Sequence, residues 1–398
     1  MTDAVFAFRH GRAKALAAQG GLDVIITSLP ENTRYFSGFY PAAMDIAYAA
    51  ECYLVLHAAS GAMALVASAA DVPTILEGGF SGSIYPLGVF QFCTPGNDAF
   101  TGRVKEILAT RLPSAAAALH AAIGQLCPGA KTVAVDEARC PPTTWLALAE
   151  ALQKDGAALT SANAMLHRVK SVKHPEEIAM LRRSANIAEN ALMEMIAEIR
   201  PGASETEMAE IYRQKVAAQG ANPFFCVATA NVRAAFSDTV NRPFSKVEDG
   251  TVVRYDFGCI LEGFHSDLSR TAVAGQNPKA EAYYAAVRAG EEAAVAAIKP
   301  GVAASEVFHI AQETVQKTGI PHYSRHHVGH GIGVSTYDWP SIAPDSDAVL
   351  EEDMVLCIET PYYEIGWGGV QVEDAIVITA TGAEYLTETS RALARIKL

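Results

Sequence analysis

The chain has 398 residues, half of them apolar and 19% charged, with a formal net charge of −13. That length favours two domains, each able to bury its own core, and the composition excludes a disordered or fibrous protein. The negative balance, with no basic stripe against it, argues against nucleic acid as a partner.

The chain opens with a helical pattern, and its first twenty residues hold no apolar stretch long enough to act as a secretory signal. Seven cysteines, at 52, 93, 127, 140, 226, 259 and 357, lack CxxC spacing. Their odd number argues against a closed disulfide framework and points to a reducing cytoplasm. Residues 21–28, GLDVIITS, and 52–57, CYLVLH, are apolar runs of strand length separated by Pro and Gly loops, so an α/β domain is expected here. The run 52–70 carries no formal charge over 19 positions, close to a membrane-spanning length. Its centre, His57-Ala-Ala-Ser-Gly61, is a turn signal, and the segment reads as a buried hairpin. Residues 30–40, PENTRYFSGFY, read only as a polar and aromatic connection.

A domain boundary is expected near residue 166, dividing the chain into 1–165 and 166–398. There LHRVKSVKHPEE gathers basic residues before Pro175, and a strongly periodic helix begins at Glu176. It stops at Pro201-Gly202, after which Ser204 and Glu207 form a capping-box pattern for a second helix. Residues 200–220, RPGASETEMAEIYRQKVAAQG, resemble 299–319, KPGVAASEVFHIAQETVQKTG, at an offset of 99. Strand-rich sequence follows each copy. The doubling predicts two α+β units about a pseudo-twofold axis, with room for a site between the halves.

Five residues stand where their chemistry needs a partner. Asp256 lies in VVRYDFG (252–258), and Asp267 follows 11 residues later in FHSDLSRT (264–271); an unpaired carboxylate in such apolar, β-branched runs is expensive. His330 lies in the glycine-rich RHHVGHGIG (325–333), where glycine on both sides allows the backbone to crowd against a ligand. MVLCIETP (354–361) and GGVQVEDAIVI (369–379) each read as a strand with one inward carboxylate, Glu359 and Glu373, which turns Asp374 to the opposite face. Four carboxylates and one imidazole form a hard, mainly oxygen site suited to Mn, Fe, Co or Zn, and two divalent ions balance its charge better than one.

The successive spacings of 11, 63, 29 and 14 from Asp256 to Glu373, together with SDLSRT, GHGIG, IET and GGVQVED, resemble the prolidase and creatinase family with the pita-bread fold. The likeness extends over about 166–398, and GLDVIITSLPENTRYFSG (21–38) is similar to that family's N-terminal domain. The resemblance implies an α/β creatinase-like domain, an internally duplicated α+β catalytic domain, two metal ions with manganese foremost, a homodimer, and cleavage of Xaa-Pro dipeptides. It implies that Asp256 chelates one ion, that Asp267 and Glu373 bridge, that His330 and Glu359 hold the other, and that Glu359 exchanges a proton with the attacking water. Two family histidines are replaced: Ser237 stands at the first position and Tyr337 at the second, before Asp338-Trp339-Pro340.

The resemblance also implies a histidine four residues before the ligand, which favours His326 over His327 as a substrate contact; Tyr337 can donate to a developing oxyanion, and Asp338 is a further pocket residue. The replaced histidines open a second reading, a lyase like the family members that split dimethylsulfoniopropionate, with Asp338 as base. Creatinase-like or ectoine-hydrolase-like chemistry on a small nitrogen compound is a related alternative, and a binding protein without activity is a third reading.

Overall fold

A computed structural model describes residues 1–47, 49–96 and 98–397. It divides into two compact units, Met1–Val169 and Lys170–Leu398.

The first unit is built on a six-stranded mixed sheet in the order Ser83–Leu87, Met63–Ser68, Tyr53–His57, Val24–Thr27, Thr132–Val135, Ala158–Ser161. The charge-free run at 52–70 forms an antiparallel hairpin, with Tyr53 opposite Val66 and Leu56 opposite Met63. No helix among the described residues is long and apolar enough to cross a membrane. Leu119 and Ala122 on the helix Ala115–Leu126 and Leu148 and Leu152 on Pro142–Lys154 pack with Val24, Ile26, Val55 and Val66 from the sheet. The connection at 30–40 contains a helix, Pro30–Ser37. Proline occupies its first turn, where no N–H is needed, and Gly38 ends it at φ 77°. Asn32 in that helix donates to Asp136 Oδ2 at 2.8 Å, and Ser28 donates to Asp136 Oδ1 at 2.5 Å, so the segment is tied to the end of a sheet strand.

In the second unit His174 caps the helix Pro175–Glu198, and Ser204 and Glu207 close a capping box on Glu205–Ala218. The helices Pro278–Ala297 and Ala304–Thr318 form the second pair. The main path of the sheet runs Asp338–Ser341, Gly329–Gly331, Val355–Glu359, Glu373–Ile378, Leu268–Ala274, Val252–Leu261, Asn222–Ala230. Side chains alternate along each strand. Tyr255, Phe257 and Cys259 pack with Leu192 and Tyr212 of the first helix pair, which leaves Arg254 and Asp256 on the other face. Leu356, Ile358, Ile376 and Ile378 pack with Val307 and Phe308 of the second pair, which sets Glu359 and Glu373 on the face that Asp256 occupies. The fold is thus an α/β domain followed by a duplicated α+β pita-bread domain.

A buried ion group ties the sheet to its helices. Arg270 donates to both carboxylate oxygens of Asp374, at 2.7 and 3.3 Å, to the carbonyls of Ser269 and Glu373, each at 2.9 Å, and to Glu189 on the helix Pro175–Glu198. Near it, Glu291 is fully buried. Burial pushes its pKa up to about 8; Asp374 adds to the rise, while Tyr385, Arg391 and Arg270 oppose it. The folded protein therefore keeps a proton that the unfolded chain releases near 4.5, so Glu291 makes stability fall as pH rises from that value toward 8. Glu291→Gln is expected to flatten this decline by up to about 1.4 kcal/mol per pH unit. Urea denaturation of both proteins at pH 5.5, 6.5 and 7.5 checks it, and parallel declines would refute it.

Candidate metal centre

Backbone register assembles the centre. Ser269 is opposite Asp256 on one side and Glu373 on the other, and Glu373 is opposite Glu359, so three carboxylates and a serine share one row across four strands. In the neighbouring row on the same face, His330 is opposite Cys357 and Cys357 opposite Ala375, while Asp267 stands two positions back from Ser269. Oxygens of Asp256, Asp267 and Glu373 lie within 4.8 Å of one another. His330 Nε2 is 3.8 Å from Asp267 Oδ2 and 3.9 Å from Glu373 Oε1. The Gln371 amide bridges Glu359 Oε2 at 3.3 Å and Glu373 Oε2 at 3.4 Å. All five residues singled out from the sequence therefore converge.

The electrostatics call for positive charge. Burial raises Asp267 and Glu373 well above the carboxylate range, and mutual repulsion among the acids adds to it. Burial likewise lifts Glu359 to about 7, with Arg325 pulling back. His330 is held neutral by burial, its pKa lowered to about 4. Its Nδ1 lies 3.0 Å from the Gly331 carbonyl and so must carry the proton. That leaves the Nε2 lone pair facing the carboxylates, buried and with no hydrogen-bond partner. An oriented imidazole lone pair among clustered carboxylate oxygens is a donor set that fits divalent ions.

The glycines beside His330 crowd a different neighbour from the one expected. A Cβ at Gly329 would lie 2.3 Å from the Cys357 carbonyl oxygen, and one at Gly331 2.3 Å from that of Trp339. The close approach is to adjacent strands, and it seats the imidazole in its row.

Around the cluster, His326 is exposed, and it is His327 whose Nδ1 lies 3.3 Å from Glu359 Oε1. The family resemblance favoured His326, four residues before His330, as a substrate contact; the segment before Val328 belongs to no strand. Tyr337 stacks on His330 with ring centroids 3.9 Å apart and is 64% exposed. Asp338 is buried, and its Oδ2 lies 3.5 Å from Lys170 Nζ. Ser237 and Asp238 are exposed, and Ser237 Oγ donates to Asp238 Oδ2 at 3.3 Å.

Three residues of the site were not singled out from the sequence. Cys357 is buried between His330 and Glu373, and its thiol donates to the Asp267 carbonyl at 3.4 Å. Arg254 is fully buried and uses every N–H: Nε donates to Ala234 O at 3.2 Å, Nη1 to Asp256 Oδ2 at 3.1 Å and Gln371 Oε1 at 2.8 Å, and Nη2 to Phe236 O at 2.8 Å and Ser237 O at 2.6 Å. Gln371 Oε1 also accepts from Tyr363 OH at 3.2 Å, which fixes the amide with its NH₂ toward the acids. Arg254, Cys357 and Gln371 each sit two residues before a carboxylate of the cluster, the period-2 signal that would have placed them.

A duplicated sheet presenting a buried carboxylate–imidazole cluster defines a pita-bread metalloprotein. Residues 179–380 match the sequence profile of metallopeptidase family M24, and 9–172 match that of the creatinase/prolidase N-terminal domain. The chain belongs to metallopeptidase family M24. It is 35% identical over 228 residues to the Xaa-Pro dipeptidase of Pyrococcus furiosus and 32% identical over 232 residues to that of Pyrococcus horikoshii. These matches cover 56% and 58% of this chain but only 65% and 66% of those relatives. Among solved structures, the dipeptidase PepE of Mycobacterium ulcerans matches with a TM-score of 0.81 at 25% identity, covering 100% of both chains. The Xaa-Pro dipeptidase of Bacillus anthracis matches with a TM-score of 0.80 at 22% identity, covering 98% of this chain and 99% of that one.

Gln371→Leu would leave the Tyr363 hydroxyl, one Arg254 N–H and two carboxylates short of a partner. It is expected to cost about 1–3 kcal/mol in urea denaturation and to weaken divalent-ion binding about 10- to 100-fold in titration calorimetry.

Proposed function

We propose that the protein is a metal-dependent hydrolase that cleaves the C–N bond of a small peptide or amide, with Xaa-Pro dipeptides as the first substrates to test. The observation that carries the reading is the convergence of Asp256, Asp267, His330, Glu359 and Glu373, with the unpartnered His330 Nε2 facing the acids. The dipeptidase names of the Pyrococcus relatives point the same way. In this reading residues 1–165 form the N-terminal domain and 166–398 the catalytic one.

Asp256 would hold one divalent ion and His330 and Glu359 a second, with the carboxylates of Asp267 and Glu373 serving both; manganese suits so oxygen-rich a set. When bound, the two ions would neutralise the carboxylates and lower the pKa of a water shared between them. Glu359 is the carboxylate placed to take up a proton and return it to the leaving nitrogen, with His327 against its Oε1 and Gln371 fixing its Oε2. Tyr337, held by stacking on His330, and the exposed His326 are the groups proposed to meet the substrate. The lyase reading needs Asp338 as base, and that carboxylate is paired with Lys170. The free cysteines accord with a cytoplasmic location, and the homodimer implied by the resemblance is part of the same reading.

Exhaustive chelation is expected to abolish hydrolysis of Gly-Pro, and Mn or Co to restore it. Asp267→Asn and Glu373→Gln are each expected to lower kcat/KM about a thousand-fold or more, in the range seen when a group stabilising transition-state charge is removed. Calorimetry should show weakened metal binding in both variants. Full activity in metal-free protein, verified by elemental analysis, would refute the reading.

A further inference from the structure

The strand at one end of the sheet, Asp338–Ser341, is short and pairs with Gly329–Gly331 in a register that shifts between His330 and Gly331. The residues leading into it, 333–337, belong to no helix or strand and end in Tyr337, whose ring lies on the His330 imidazole with 25° between the planes. The backbone hydrogen bonds of this segment gather at its start: the Gly333 carbonyl accepts from His265 N at 2.9 Å, and Gly333 N donates to the Ser335 carbonyl at 3.0 Å. A stacked ring that is mostly exposed is only weakly confined by its own packing. Something else must hold Tyr337 over His330.

A buried charge supplies the restraint. Lys170 Nζ donates to Ser335 Oγ at 3.1 Å and lies 3.5 Å from Asp338 Oδ2, so one ammonium grips the chain on both sides of Thr336 and Tyr337. The side chains of Lys170 and Asp338 are 4% and 0% exposed. Asp338 Oδ1 accepts from the Trp339 N–H at 3.2 Å, which sets the carboxylate against the start of the strand. Lys170 is itself seated on the helix Asn163–Ser171. Taking such a pair out of water costs about as much as its attraction returns, and an apolar pair would serve stability as well. What the pair adds is direction, because the ammonium's donors fix two points of the segment at once.

We propose that Lys170 is a positioning residue: it holds the segment 335–338 so that Tyr337 stays stacked on His330 and meets the substrate there. The proposal rests on the Lys170 contacts for the placement and on the hydrolase reading for its effect on turnover. Lys170 acts through Tyr337 and is neither a metal ligand nor a substrate contact. Without the ammonium, Ser335 and Asp338 lose their common anchor and the phenol is free to swing toward solvent.

The first arm of the test reads the placement without turnover. In the metal-free full chain carrying 3-fluorotyrosine, Tyr337→Phe identifies the fluorine resonance of Tyr337. Lys170→Met is expected to move that resonance toward the position of free fluorotyrosine, and Lys170→Arg to return it. Lys170→Met/Asp338→Asn removes both charges, which keeps the test open if the single variant does not fold, and should show the same displacement. The second arm measures Gly-Pro hydrolysis by the Mn-loaded full chain. Lys170→Met and Tyr337→Ala are each expected to lower kcat/KM about 100-fold, the scale for a misplaced group at a reacting centre. Combining them should cost no more than either alone, because both remove one function, and Lys170→Arg should recover most of the loss. An undisturbed Tyr337 resonance in the variants lacking the ammonium, or losses that multiply when combined, overturns the proposal. A displaced resonance in a protein that hydrolyses no dipeptide sustains the placement and sinks the hydrolase reading. Hydrolysis by the wild type with the resonance undisturbed in the variants does the reverse.

Discussion

Like charges placed directly opposite each other in a sheet repel, and this protein places Glu359 opposite Glu373 in the buried interior. Asp256 lies in the same row and Asp267 in the next. Backbone hydrogen bonds fix the strand spacing, so the acids cannot separate without breaking the ladder. Everything near them can be understood as an answer to that repulsion. Gln371 aims its NH₂ at two of the carboxylates, Arg254 lends a charge to Asp256, and His330 turns a lone pair inward because Nδ1 is committed to Gly331. These contacts position the acids but leave their pKa values raised, which is the physical case for a bound cation.

The acid positions were legible because they violate a pattern. A single carboxylate within a β-branched run stands out, and period 2 then assigns its face; Asp374 was turned away from Glu373 by that rule and is found against Arg270. The capping box at Ser204 was open to reading because it is local chemistry at a three-residue spacing, and the doubled helix pairs because their sequence recurs at an offset of 99.

What escaped depended on partners far along the chain. Arg254 reads as an unremarkable basic residue until the carbonyls of residues 234, 236 and 237 fold over it. The helix Pro30–Ser37 has a polar sequence because Asn32 and Thr33 are buried in hydrogen bonds with Asp136 and Thr27, contacts that no helical wheel reveals. His327 meets Glu359 from a segment ahead of Val328 that belongs to no strand, so no alternation in the sequence assigns its face. The flanking glycines were read as clearance for a ligand, whereas they admit the carbonyls of neighbouring strands.

The clamp between Arg270 and Asp374 has a further consequence for how the sheet pairs. Adjacent acids at 373 and 374 make the strand ambiguous, since a slip of one residue would present Asp374 to the cluster in place of Glu373. Arg270 removes the ambiguity by gripping Asp374, the Glu373 carbonyl and Glu189 together from the opposite face. In the slipped pairing Asp374 would leave that grip, and the guanidinium would stay buried beside a lone glutamate. The back of the sheet thus proofreads the alignment on which the front depends.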